Sequence, residues 1–312
     1  MALPLRRLGA VLMVSALAIT GCSRASDSES GSSASEGSND RVAALGLGDS
    51  DTLLALGVTP SVVAPFGSEG EVDPSGVGPW AKDLLGDAKP TVIYNTSAGF
   101  SAEIIEQVTA ADPSKIIAVN TAMDDQAVEA LEKIAPTTLK PEDATNWQIP
   151  WDTQVTTIAG AVDKGDEGKE LIEKTEKAFE DFKKEHPEVQ GKTAAIVLPY
   201  DGQIGLYTSG DGRGQMVEDM GFEIPDSLEG DGDTFYRAIA PENYDELNEV
   251  DYLFVLDYNG SAEALKNDET FKNLDVTRDG RVRYLDSDTG TAMSMPNPVT
   301  IPWAIEKFSD QL

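Results

Sequence analysis

The chain has 312 residues, with 24 lysines and arginines against 55 aspartates and glutamates, a net charge of −31, one histidine and one cysteine. So acidic a surface repels phosphate backbones and anionic headgroups, which excludes nucleic acid as a partner. One cysteine and one imidazole also exclude an internal disulfide, a thiolate zinc cage, an iron–sulfur cluster and a three-histidine metal site.

The N-terminus is patterned for export. Arg6 and Arg7 precede an apolar stretch over residues 8–19, shorter than the roughly 20 apolar residues a membrane helix wants. It ends in Ile19-Thr20-Gly21-Cys22, which matches the bacterial lipobox, and the chain's single cysteine falls at the position that receives the lipid. The alternative is an ordinary signal peptide followed by a buried core cysteine. On the lipobox reading residues 1–21 are a signal peptide and acyl chains on Cys22 anchor the protein outside the cytoplasmic membrane. Residues 22–39 hold eight serines and no aliphatic side chain larger than alanine, and form a flexible tether.

From residue 40 strands and helices alternate. Apolar runs at 42–47, 62–64, 91–94 and 116–119 read as strands. Between and after them, residues 49–56, 80–85, 102–108 and 124–134 read as helices, stopped by Gly57, Gly86 and Pro136. Such alternation predicts a parallel sheet flanked by helices, an N-terminal α/β lobe over residues 40–152. Residues 153–187 offer no strand. A helix at 153–162 precedes a long charged helix at 167–186, on which Leu171, Ile172, Thr175, Ala178, Phe179 and Phe182 recur at helical intervals. This segment predicts a rigid connector. The scheme then repeats over residues 188–312: strands at 193–198 and 204–207 joined by the hairpin signal Asp201-Gly202, helices at 215–220, 244–248 and 262–266, strands at 252–256 and 281–285, and a closing helix from Pro302. The fold class is therefore α/β, two Rossmann-like lobes with mostly parallel central sheets, a long connecting helix and a ligand cleft between the lobes.

Catalytic signatures are scarce. The sequence has no G-x-S-x-G elbow, no Walker A loop and no H-E-x-x-H. Gly210-Asp211-Gly212-Arg213-Gly214 lacks the lysine and spacing of a phosphate loop. Pairs such as Asp124-Asp125 or Asp286-Ser287-Asp288 carry little information in so acidic a chain, and His186 reads as a solvated helix terminus. The cleft is expected to bind rather than transform, so the chain is read as a non-enzyme. Arginines and aromatics after strands are then the informative residues, because guanidinium forks grip anionic oxygens and aromatic faces pack on planar ligands. Arg213, Tyr236 and Arg237 are the candidates in the second half, while Trp80, Trp147, Trp151 and Trp303 are those that could line the cleft.

Four stretches carry a family resemblance over residues 41–308. They are Arg41-Val42-Ala43-Ala44-Leu45-Gly46 with Leu53-Leu54-Ala55-Leu56-Gly57-Val58; Glu103-Ile104-Ile105 through Asp112-Pro113-Ser114-Lys115-Ile116-Ile117-Ala118; Ile134-Ala135-Pro136-Thr137; and Met220-Gly221-Phe222 with Ile239-Ala240-Pro241-Glu242. In this order the chain resembles the substrate-binding lipoproteins of ABC transporters for ferric siderophores, relatives of the cobalamin and haem carriers. Ser114-Lys115 and Ala240 depart from the usual residues.

The resemblance implies a monomeric lipoprotein that delivers a ferric siderophore to an ABC permease dimer. The ligand would bring its own iron, so no cofactor and no protein metal ligands are called for. By position it places ligand contacts at Ser97 and Asn120 in the first lobe and at Arg213, Tyr236 and Arg237 in the second, and permease-docking carboxylates at Glu103 and Glu242, one per lobe. The matching first-lobe loops lack basic residues, so the ligand is expected to be less anionic than a catecholate complex, or held by polar and aromatic contacts. Alternatives are a haem or cobalamin carrier of the same fold, and a secreted hydrolase or chelatase using cleft carboxylates.

Overall fold

The computed structural model describes residues 40–96, 99–230 and 234–312, which belong to a single compact unit. Residues 1–39, which hold the expected signal peptide, tether and Cys22, lie outside the described residues, as does Ser97.

The first lobe opens with β1 (Val42–Ala44), α1 (Asp49–Ala55) and β2 (Val62–Val63). A 3-10 turn at Pro79–Ala81 then leads into α2 (Lys82–Leu85), β3 (Thr91–Val92) and α3 (Ala102–Ala111). β4 (Lys115–Ala118), α4 (Asp125–Glu132) and β5 (Thr137–Leu139) complete it. All its strands are parallel, in the order β3-β2-β1-β4-β5. The chain winds outward from β1 in one direction and from β4 in the other, so the loops after β1 and β4 diverge and open a crevice at their carboxyl ends. Alternate residues feed two apolar layers: Ala43 and Ile116 on one face, Val42, Ala44 and Ile117 on the other.

Two helices follow, α5 (Trp151–Ala161) and α6 (Gly165–Glu185). The 21 residues of α6 span roughly 30 Å at about 1.5 Å each. Its Leu171 packs with Ile158 and Ala159 of α5 against the first sheet, whereas Phe179 and Phe182 join the second lobe's core. One helix thus has an apolar stripe shared by both lobes. Its charges suit the macrodipole, with Asp166 and Glu167 in the first turn and Lys183 and Lys184 in the last.

The second lobe comprises β6 (Ala194–Tyr200), β7 (Gln203–Tyr207), α7 (Gly212–Asp219) and β8 (Tyr236–Ile239), then a 3-10 segment at Pro241–Glu249. After it come β9 (Tyr252–Asp257), α8 (Ser261–Asn267), α9 (Glu269–Lys272), α10 (Asp275–Arg278), β10 (Val282–Asp286), α11 (Ser287–Ser294) and α12 (Thr300–Ser309). Its sheet runs β10-β9-β6-β7-β8. Parallel pairs join β6, β9 and β10, and the Asp201-Gly202 hairpin and β8 add two antiparallel pairs. Phe182, Phe222, Phe254 and Phe308 interlock beneath this sheet, Phe254 and Phe308 with ring centroids 4.3 Å apart. Each such burial contributes about 1.5–3 kcal/mol.

Several elements differ from the sequence expectation. Helix α7 begins at Gly212 rather than 215 because the Asp211 carboxylate accepts a hydrogen bond from the Arg213 amide, capping the first turn. Strands β5 and β8 and helices α9, α10 and α11 are additions to the expected set. The helix expected at 244–248 is part of the longer 3-10 segment.

Candidate ligand-binding cleft

The carboxyl ends of the strands build one cleft of about 250 Å³ between the lobes. One wall is the loop after β1 (Gly46, Leu47, Gly48), the residues after β2 (Ala64, Pro65, Phe66) and the segment that leads to Trp80. The other is Tyr258 and Asn259 after β9, with Ser287, Asp288, Thr291 and Met295 from α11 and its exit.

Asp49 holds the first wall in shape. Fully buried, it accepts from the Gly46 and Val119 amides at 2.9 Å each, the Asn120 amide at 3.4 Å and Gln154 Nε2 at 2.7 Å, fastening the loops after β1 and β4 together and to α5. A Cβ at Gly46 would collide with this carboxylate and with the Asn120 amide, so the tie requires glycine. Burial pushes the Asp49 carboxyl up to about 6, against the pull of its hydrogen bonds.

Asp51 lies on the cleft floor. Its Oδ2 accepts from Trp80 Nε1 at 2.8 Å and from Asn297 Nδ2 of the second lobe at 3.4 Å. Burial raises this carboxyl to about 6 as well. Trp80 in turn meets Trp303 of α12 edge to face, with ring centroids 5.5 Å apart. The two lobes are therefore joined beside the cleft by a polar and an aromatic contact.

Behind the opposite wall lies a largely buried cation. The Arg213 guanidinium stands 4.1 Å over the Tyr207 ring, and its Nη1 donates to both oxygens of Asp211 at 2.9 and 3.0 Å. Burial opposes its charge, but the Asp211 carboxylate beside it outweighs that and raises its pKa. Its Nη2 donates to the Tyr258 hydroxyl at 3.3 Å. A guanidinium has no acceptor, so the Tyr258 O–H must point its own proton elsewhere, and Tyr258 faces the cleft. Arg213 Nε, buried, has no partner among the described residues. Burial pushes the Tyr207 phenol up to about 12, so it stays protonated.

Of the residues singled out from sequence, Trp80 lines the cleft and Arg213 reaches it through Tyr258. Arg237 does not line it: its guanidinium donates to Glu246 at 2.7 Å and to the Leu228 and Ser227 carbonyls at 3.2 and 3.3 Å. Tyr236 is exposed and packs on Phe235 and Tyr200. Asn120 is buried just past the end of β4, bonded through its backbone to Asp49 and Leu47, and its side-chain oxygen has no partner among the described residues. Trp151 is a core residue against Phe179, and Trp147 does not line the cleft. Glu103 and Glu242 are exposed, in the first turns of α3 and of the 3-10 segment. His186 ends α6 beside Glu188 and Phe182. Sequence reasoning misses Tyr258, Phe66 and Asp51, although Tyr258 and Phe66 are aromatics just beyond strands, the criterion that selects Tyr236.

Two α/β lobes bridged by one helix, with a cleft at the carboxyl ends of both sheets, define a two-lobed ligand-binding protein. The family model for periplasmic binding proteins matches residues 42–289, and the chain belongs to that family. It is 28% identical over 305 residues to the Fe(3+)-citrate-binding protein YfmC of Bacillus subtilis, an alignment covering 90% of this chain and 89% of that one. A periplasmic solute binding protein from Mycobacterium smegmatis superposes with a TM-score of 0.76 at 27% identity, over 87% of this chain and 91% of the other. The iron uptake ABC transporter substrate-binding protein PiaA of Streptococcus pneumoniae does so with a TM-score of 0.70 at 25% identity, over 87% and 92%.

Proposed function

We propose that this chain is the extracytoplasmic substrate-binding component of an ABC importer and that it captures a ferric siderophore in the cleft between its lobes. The observation that carries this reading is the lining itself: Phe66, Trp80 and Tyr258 converge on the carboxyl ends of both sheets, offering aromatic faces and a hydroxyl donor to a bulky chelate. Phe66 is 55% exposed, a large apolar side chain left uncovered at the cleft, as a ligand-facing residue should be. The relatives named for ferric citrate binding and for iron uptake support an iron complex as the class of cargo.

The chain acts by binding, without catalysis and without a resident cofactor, and iron enters as part of the cargo. Two cleft carboxylates already have structural partners, Asp51 in Trp80 and Asn297 and Asp73 in Lys82 and Ser75, which supports a grip rather than a reactor. Glu103 and Glu242, exposed on separate lobes, dock a permease dimer. Cys22 carries the lipid anchor after removal of residues 1–21, residues 22–39 tether the body to the outer face of the membrane, and the protein works as a monomer. Residues 40–152 and 188–312 act as lobes around the 153–187 connector.

Native mass spectrometry of the protein with ferric hydroxamates, catecholates and carboxylates, haem and cobalamin tests the reading. One-to-one complexes with a ferric siderophore are expected. Binding of haem or cobalamin alone, or turnover of any candidate, would overturn it.

A further inference from the structure

We propose that the cleft selects ferric complexes of zero or positive net charge, of the trihydroxamate class, and rejects anionic ones such as ferric citrate and ferric tris-catecholates. The inference rests on the reading of the cleft as a ferric-siderophore site. Asp51, Glu71, Asp73 and Asp288 all line the cleft, and among the described residues no lysine, arginine or histidine does.

The four carboxylates differ in state. Asp73 is neutralised locally by Lys82, with help from Ser75, and its carboxyl is held down to about 2. Asp51 is engaged by Trp80 and Asn297. Glu71 and Asp288 are exposed, one on each lobe, with no cation paired to either among the described residues. The Ser68 hydroxyl and amide hold the Glu71 carboxyl below its ordinary range, so it stays charged. The cation behind the second wall, Arg213, is cancelled by Asp211 and screened by Tyr258. A ligand therefore meets a negative rim and a hydroxyl donor.

Three hydroxamates bring three negative charges to Fe³⁺ and leave a neutral core, whose oxygens still accept a hydrogen bond from Tyr258. A pendant ammonium makes such a complex cationic and fits the rim at Glu71 and Asp288. Citrate and catecholate complexes carry excess negative charge into the same carboxylates, where partial desolvation makes like-charge contact unfavourable. The chain's net charge of −31 adds to this through the long-range field. The relative named for ferric citrate does not set this chain's cargo, because the lining charges here oppose that ligand.

Isothermal titration of the purified protein with five probes tests the proposal: ferrioxamine B, its N-acetylated derivative, ferrichrome, ferric citrate and a ferric tris-catecholate. Acetylation removes the pendant positive charge and keeps the chelate. Ferrioxamine B is expected to bind about threefold to tenfold tighter than the acetylated form at low ionic strength, a gap that narrows as salt rises. Both anionic complexes should bind at least tenfold more weakly than ferrichrome, on the order of one full like-charge contact. Replacing Glu71→Gln together with Asp288→Asn, both exposed positions, should close the gap between the two ferrioxamines. Tighter binding of either anionic complex than of ferrichrome, or a cation preference that grows with salt, would overturn the charge rule alone. Failure of all five to bind would overturn the siderophore reading and the rule with it.

Discussion

The indole Nε1–H of Trp80 donates to Oδ2 of Asp51 across 2.8 Å, while the same ring meets Trp303 of the other lobe edge to face. Trp80 thus does three things: it lines the cleft, satisfies a buried carboxylate and touches α12. Trp80→Phe keeps most of the ring and deletes the donor. A buried acceptor that loses its best partner costs about 1–3 kcal/mol, so denaturant unfolding should show a loss of that size, with secondary structure unchanged by circular dichroism.

The buried carboxylates make stability depend on pH with an identifiable sign. Asp51 rises from 3.8 to about 6 on folding, so between these values the folded chain holds a proton that the unfolded chain has released. Its protonated form therefore stabilises the fold fully below about pH 4, and that contribution is lost as pH rises through 6. A rise of this size corresponds to about 2–3 kcal/mol as an upper bound. Asp49 has the same sign. Asp73, held down to about 2, titrates outside this window. Chemical denaturation at pH 4 through 8 should show stability falling across the window, and Asp51→Asn should flatten the slope. An identical slope in that variant would remove Asp51 as its source.

Tyr258→Phe isolates the hydroxyl that Arg213 orients. The ring and its packing remain, while the ligand loses one donor. A neutral hydrogen bond contributes about 0.5–1.5 kcal/mol, so affinity for a ferric siderophore should fall about twofold to tenfold. Quenching of tryptophan fluorescence during titration reads this directly. Unchanged affinity would mean that the hydroxyl does not face the ligand.

Much of the fold is legible because its inner strands are short apolar runs punctuated by glycine and proline, as at residues 42–47 and 252–256. What escapes is physically weaker. β5 and β8 are edge strands with few buried residues, so they lack the apolar signature of their neighbours. Helix α11 reads SDTGTAMS and has no apolar stripe; its start is set by the Asp286 cap on Thr289, and its burial by Ala292 and Met293 packing into the second lobe. The site divides in the same way. Trp80 and Arg213 can be found by residue type next to a turn. Asp51 gives no signal, since one acid among 55 stands out only once its burial is known.

Arg213 and Arg237, equivalent candidates by sequence, differ in surroundings. Arg213 has a side chain 12% exposed and is ringed by Asp211, Tyr207 and Tyr258. Arg213→Ala leaves the buried Asp211 without its cation, which costs about 3–5 kcal/mol, and removes the group that orients Tyr258, so capture weakens along with stability. Arg213→Lys should restore the charge and part of the stability, but not the simultaneous reach to Asp211 and Tyr258, because an ammonium lacks the planar fork. Arg237 lies in β8 at 28% exposure, paired with Glu246 at 38%. Strand geometry directs it to the 3-10 segment instead of the cleft. Its ion pair is worth about 0–1 kcal/mol, so Arg237→Ala should change unfolding by no more than that and leave ligand affinity as it was. Parallel titrations and melts of the three variants separate these outcomes: equal loss of affinity in Arg237→Ala and Arg213→Ala would place Arg237 back at the site.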